Sequence, residues 1–156
     1  FILPSLYYEF QIHNIHFYAL NTNSLDDNQA NMLKNADQIA SNNWKIVFGH
    51  HPYKSNGLHG NAAWSRKDFY EQHLCNRVDI FFAGHDHDKQ HLKPECGIRL
   101  FISGAAGGIR EVETKDNTLF AKSSYGFGWV QIDDNKLNFK FFDENAVEEY
   151  DYVDMK

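Results

Sequence analysis

Lys45-Ile46-Val47-Phe48-Gly49-His50 and Val78-Asp79-Ile80-Phe81-Phe82-Ala83-Gly84-His85-Asp86-His87 decide the fold class. Each segment contains a short apolar run and leads into Gly-His. Continuous rather than alternating apolarity suits strands covered on both faces, the habit of parallel sheets in α/β domains. Between them, a loop from His50 to Asn61 carries Pro52, Gly57 and Gly60. Ala63 to Arg77 then has helical composition, with Tyr70, Leu74 and Val78 spaced by four. A strand-helix-strand unit of this kind closes by a right-handed crossover into two parallel strands, so their carboxyl ends share one edge of the sheet.

Outward from this unit, Ile98 to Ser103 reads as another apolar strand, followed by the small-residue loop Gly104 to Gly108. That loop lacks a Gly-Lys-[Ser/Thr] ending and is read as a tight turn that lets backbones approach, not as a P-loop. Upstream, Tyr7 to Ile12 and Ile15 to Asn21 read as an edge hairpin turning at His13-Asn14. A helix is expected from Asp26 to Ser41, capped by Ser24, with Met32, Leu33, Ala36, Ile39 and Ala40 on one face. Downstream, Tyr125 to Asp133 and Lys136 to Phe142 flank a turn at Asp134-Asn135, and Val147 to Val153 adds a last strand. No repeat, low-complexity tract or linker interrupts the chain.

The 156 residues fit one domain. With 15 Lys+Arg against 21 Asp+Glu, the net charge of −6 argues against a nucleic-acid partner. A mean hydropathy of −0.58 and the lack of any run of about 18 apolar residues exclude a membrane-spanning helix. Cys75 and Cys96 lack C-x-x-C spacing, so they make neither a zinc ribbon nor a redox motif. Two buried, unpaired thiols are the commoner reading, with a single bridge as the alternative. The chain opens on Phe1 without a basic-then-apolar leader, and it is expected to be a processed product or a piece of something longer.

Nine histidines are present, and their placement is informative. A lone His at a strand end is ordinarily a hydrogen-bonded surface residue. Here His50 and His85 both follow Gly at the ends of neighbouring parallel strands, which brings two imidazoles to one edge as ligands for one metal ion. A locally extended backbone through His85-Asp86-His87 would place both rings on one side, close enough for two neighbouring ions. His13, His16, His73 and His91 lie on the hairpin, on a helix or past the turn, and are given no role.

These residues resemble a known family. Val47-Phe48-Gly49-His50-His51-Pro52 with Gly84-His85-Asp86-His87 is similar to the last two signature blocks of the calcineurin-like metallophosphoesterases, V-x-x-H and G-H-x-H. Tyr53-Lys54-Ser55 after His-Pro, and His59-Gly60 nine residues past His50, narrow the likeness to tartrate-resistant (purple) acid phosphatases. The likeness extends to Phe1 to Tyr8, Leu20-Asn21-Thr22, Trp44, Gln90 and Ser103-Gly104-Ala105, with Asn21 where the family usually has Asp. The family's earlier blocks, D-x-G, G-D-x-x-Y and G-N-H-[ED], are not found before His50. The resemblance therefore makes residues 1–156 the C-terminal half of a single catalytic domain, and an α/β/β/α sandwich of two packed mixed sheets with outer helices is expected.

The same resemblance implies His50 and His85 as ligands of a divalent ion and His87 as ligand of a second, with iron paired with zinc, manganese or a second iron. Missing upstream carboxylates, Asn and Tyr would complete that dinuclear site. The implied activity is hydrolysis of phosphate monoesters by a hydroxide generated between two metal ions. His59 corresponds to the family's histidine at the substrate phosphate, where an imidazolium could neutralise charge and protonate the leaving group. His51 reaches the pocket rim or packs beside Pro52, and Asp86 is expected to orient an imidazole. The family branch also implies a secreted or periplasmic location. The alternatives are a non-catalytic fragment or scaffold relative, separable by metal content, and a metal-dependent phosphodiesterase, separable by product analysis.

Overall fold

A computed structural model of the chain describes residues 5–156; the first four residues of the Phe1 to Tyr8 likeness lie outside that range. β1 (Tyr8–Ile12) and β2 (Ile15–Ala19) form the expected antiparallel hairpin, and His13 at the turn takes φ 51° in place of a glycine. β2, β3 (Trp44–Gly49), β4 (Ile80–Ala83) and β6 (Ile98–Ser103) run parallel in that order. Two strands were not anticipated. β5 (Lys89–Glu95) pairs antiparallel with β6 and with β7 (Thr118–Lys122), completing a seven-stranded sheet. A separate antiparallel sheet holds β8 (Gly126–Asp133), β9 (Lys136–Asp143) and β10 (Glu148–Met155), with Asp134 turning the first pair at φ 48°.

The continuous apolarity of the parallel strands has a direct cause. Ile46 and Val47, Ile80 and Phe81, and Leu100 and Phe101 are neighbours in sequence but point to opposite faces. Val47, Phe81 and Leu100 pack with Leu33, Tyr70 and Leu74 beneath the helices. Ile46, Ile80 and Phe101 pack with Trp44, Leu137, Phe139 and Phe141 between the two sheets. The layers are thus helices, a mixed sheet and a second sheet, an α/β class. No helix among the described residues is long and apolar enough to cross a membrane.

Both helices are shorter than their periodicity suggests. α1 covers Asp27–Lys34, and Asp26 rather than Ser24 caps it by accepting from the Gln29 amide at 3.0 Å. The chain then tightens into a 3-10 turn, Asn35–Gln38. α2 covers Trp64–His73, and Arg77 folds back to donate to the His73 carbonyl at 2.8 Å, satisfying a helix-end acceptor.

Cys75 and Cys96 are bonded, with Cα atoms 5.1 Å apart, so the unpaired-thiol reading is replaced by the bridge. It ties the chain just past α2 to the β5–β6 turn and contributes about 3 kcal/mol by restricting the unfolded chain. Lys89 of β5 is wholly buried and donates to the Tyr125 and Phe142 carbonyls at 3.1 Å each and to Glu149. All three ammonium donors are thereby satisfied, and β5 is fastened to the second sheet.

Candidate metal centre

The site begins with register. Gly49 pairs with Ala83 across β3 and β4, so the residues that follow leave the sheet side by side, and the Gly84 amide donates to the His50 carbonyl at 3.1 Å. A side chain on Gly49 would come within 2.6 Å of the Thr22 methyl, so the strand end requires glycine there. His50 Nε2 stands 3.0 Å from His85 Nδ1. The His51 ring lies 4.5 Å from that of His85 and 4.8 Å from that of His50, and one donor nitrogen from each of the three falls within 4.8 Å of the others.

This donor set fits a metal ion. Imidazole nitrogens bind such an ion at about 2.1 Å, so His50 Nε2 and His85 Nδ1, 3.0 Å apart, would reach a common one. The group is all imidazole, suited to zinc, iron or manganese and lacking the hard oxygen ligands a second ion would need. Burial, the Arg66 charge and the neighbouring histidines push the His51 imidazole down to about 4. Burial, with His59 and His50 beside it, also lowers His85. Both rings are therefore held in the neutral form that ligates metal.

His87 does not join this trio. His85 adopts φ 68°, and the Asp86 amide turns back onto the Gly84 carbonyl at 2.8 Å, so the expected extended backbone is not present. The turn sends the His85 ring toward His50, His51 and His59, whereas the His87 ring lies against Gly108. His59 is exposed, with its ring 4.3 Å from that of His85. Its Nε2 lies 2.9 Å from Arg110 Nη1. A guanidinium only donates, so Nε2 is an acceptor in this arrangement, and an imidazolium there requires Arg110 to move aside.

Beneath His59 lies a buried polar platform. Asp86 was expected to orient an imidazole; instead its Oδ1 accepts from the His59 amide at 2.8 Å and its Oδ2 accepts from the Ser55 hydroxyl. Gln90 donates to Ser55 Oγ at 3.0 Å and to Asp88 Oδ1 at 2.7 Å, and accepts from the Asn56 amide at 2.8 Å. A Cβ on Gly57 would meet Asp86 Cγ and Asp88 Oδ2 at 2.5 Å. One on Gly104 would meet the Asp86 carbonyl at 1.9 Å, so the glycine loop does let backbones approach. Burial, with a smaller push from Asp86, raises the Asp88 carboxyl to about 6.

Sequence reasoning missed Thr22, Arg66 and Arg110. Thr22 Oγ1 accepts from the His51 amide at 3.1 Å and bonds His51 Nδ1 at 2.9 Å, leaving Nε2 as that ring's free nitrogen. Arg66 donates from Nε to the Thr22 carbonyl at 3.0 Å and lines one cleft with His51, His59 and His85. These contacts span long stretches of chain, and no local spacing announces them. The histidines given no role stay outside the cluster. His13 sits at the hairpin turn, His16 on β2 and His73 at the end of α2, while His91 is buried on β5.

No protein-family model matches the chain. Over 123 residues, 72% of its length, the chain is 32% identical to purple acid phosphatase 3 of Arabidopsis thaliana and covers 33% of it. Against tartrate-resistant acid phosphatase type 5 of Sus scrofa the identity is 27% over 123 residues, 79% of this chain and 32% of that protein. Among solved structures, one described as "GAP50 the anchor in the inner membrane complex of Plasmodium" superposes with a TM-score of 0.74 at 19% identity, covering 99% of this chain and 56% of that one. A dimetal phosphatase from Danio rerio gives 0.57 at 14% identity, covering 96% and 60%. The chain spans about a third of the length of these curated relatives.

Proposed function

Because this chain belongs to the purple acid phosphatase branch of the calcineurin-like metallophosphoesterases, we propose that it is the C-terminal half of a single catalytic domain that hydrolyses phosphate monoesters at a two-metal centre. The observation that carries this reading is the 3.0 Å approach of His50 Nε2 to His85 Nδ1 at the shared carboxyl edge of β3 and β4. His50 and His85 hold the first ion. His87, on the Gly108 side, serves a second ion whose oxygen ligands come from an N-terminal half of the same domain. Edge strand β8 supports such a docking half, since Phe127, Trp129 and Val130 stand 46%, 39% and 42% exposed on it.

When bound, the two ions, iron with zinc, manganese or a second iron, neutralise phosphate charge and activate the attacking water. His51, whose ring bonds Thr22, and His59, whose amide donates to Asp86, would contact a phosphate bound at the centre, and His59 would protonate the leaving group. The Asp86–Ser55–Gln90 platform keeps the His59 loop in place. A secreted or periplasmic location accords with the Cys75–Cys96 bridge, which persists in an oxidising compartment.

A second reading, a non-catalytic scaffold, is favoured by the structural neighbour that covers 99% of the chain and is described as an anchor. Hydrolysis of p-nitrophenyl phosphate by the complete protein, assayed with its metal content, separates the two. The phosphatase reading expects two ions per chain, activity lost on chelation, and a His59→Ala variant about 100-fold slower that keeps both ions. Two ions without turnover, or no ions, would leave the scaffold; faster cleavage of bis-p-nitrophenyl phosphate would make the enzyme a diesterase.

A further inference from the structure

His59 reaches the cleft from a loop, so its imidazole is only as well placed as the backbone of residues 55–60. That backbone has an anchor besides Asp86. Asn56 is 3% exposed, and its bonds leave in several directions. Its amide donates to Gln90 Oε1 at 2.8 Å and its carbonyl accepts from the Glu113 amide at 3.0 Å. Its side-chain Nδ2 donates to Asn117 Oδ1 at 2.9 Å and to Thr118 Oγ1 at 2.8 Å. The first bond leads to β5, and the others lead to residues 113–118, just before and at the start of β7. This segment is itself held. Val112 forms an antiparallel bridge with Gly57, the Asn117 carbonyl accepts from the Lys93 amide at 2.7 Å, and Thr118 Oγ1 also accepts from the Lys115 amide at 2.9 Å. Residues 112–118 therefore lie along the His59 loop as a strap, and Asn56 joins strap, loop and sheet.

Truncating such a buried amide leaves acceptors without their donor and removes the bonds that keep the loop from shifting. Proton donation is sensitive to a shift of that kind. The donor must stand within hydrogen-bond reach of the leaving oxygen, and a misplacement of about 1 Å costs on the order of 100-fold in rate. No hydrogen bond joins Asn56 to His50, His51, His85 or His87 among the described residues. Resting on the hydrolytic reading above, we infer that Asn56 is a positioning residue for His59: it ties the loop to the 112–118 strap and to Gln90, and so holds the imidazole where it protonates the leaving oxygen, with no part in metal binding.

Kinetics and hydrogen exchange of the complete, metal-loaded protein test this role. Asn56→Ala is expected to keep the wild-type metal content and the KM for p-nitrophenyl phosphate while lowering kcat about 10-fold. Glycerol phosphate should be slowed about 5-fold more, because an alkoxide leaves only with a proton whereas p-nitrophenolate leaves readily without one. In a His59→Ala background the same substitution changes kcat by less than about 2-fold, since the residue it positions is already gone. Thr118→Val removes one acceptor of the same side chain, so it repeats the pattern at smaller amplitude and serves if Asn56→Ala does not fold. Amide exchange across residues 55–60, read without turnover, should quicken about 10-fold in Asn56→Ala and less in Thr118→Val. Equal losses on the two substrates, an undiminished loss in the His59→Ala background, or unchanged exchange would overturn the positioning role. Faster exchange in a protein that hydrolyses neither ester would uphold the loop anchor and defeat the hydrolytic reading; hydrolysis that both variants retain in full would do the reverse.

Discussion

His85 is held at φ 68°, a conformation that costs an L-residue about 1–2 kcal/mol. The gain is direction, because the turn swings its ring out of line with His87 and onto His50. His85→Gly removes that strain but also the side chain that would bind metal. Added backbone entropy in the unfolded chain offsets about 0.5–1 kcal/mol of the relief. The variant is therefore expected to melt, in metal-free buffer, within about 1 kcal/mol of the parent while losing metal uptake. A large loss of stability with metal retained would assign His85 to the fold and not to the centre. His50 and His85 were legible in the sequence because each follows a glycine at the end of an apolar strand. Arg66, Arg110 and Thr22 were not, since only tertiary packing brings them to the cleft.

At the scale of the element, β5 shows why some of the fold escapes a hydropathy reading. Lys89, Gln90 and His91 are polar yet fully buried, each bonded to a distant partner: Glu149, Ser55 and Tyr150 respectively. Apolar periodicity finds strands whose burial is driven by hydrocarbon, as in β3, β4 and β6, and is blind to one whose burial rests on pairing. His91 also gives the element a pH dependence. Its ring stacks on Phe101 at 4.2 Å, its Nδ1 meets the Tyr150 hydroxyl at 2.9 Å and its Nε2 has no partner. Burial holds the imidazole down to about 4, against 6.5 when unfolded; the Asp154 charge opposes this shift and that of Arg99 adds to it. The unfolded chain thus takes up this proton first, so stability is complete above pH 6.5 and falls as the pH drops toward 4. The loss approaches roughly 3 kcal/mol. Urea titrations between pH 7 and 4.5 should show that slope, flattened in His91→Phe. Parallel slopes for the two proteins would place the acid sensitivity elsewhere.

On the scale of the whole molecule, the sheet that carries the histidines is complete on its helical side, while the second sheet ends in an exposed apolar edge at Phe127 and Trp129. The near ring of ligands is all imidazole, and no carboxylate joins it among the described residues. The 156-residue chain by itself is therefore expected to take up zinc weakly and at most one ion, measured by equilibrium dialysis, because a stable two-ion site needs oxygen donors it does not offer. Stoichiometric, tight uptake of two ions by the chain alone would mean that His51 and other side chains here complete a centre unlike the one proposed. Within the architecture, the parallel β3–β4 pair followed from the sequence pattern and the face-to-face sheets from the family resemblance, whereas the divergence of His85 and His87 depended on a backbone conformation that composition does not encode.

The most direct test is anomalous X-ray scattering from crystals of the complete, metal-loaded protein, collected at the absorption edges of iron, zinc and manganese. The account predicts one peak about 2.1 Å from both His50 Nε2 and His85 Nδ1, with their mutual hydrogen bond replaced by two metal bonds. Saturated crystals in which those two nitrogens still bond each other, with any peak elsewhere, would contradict it.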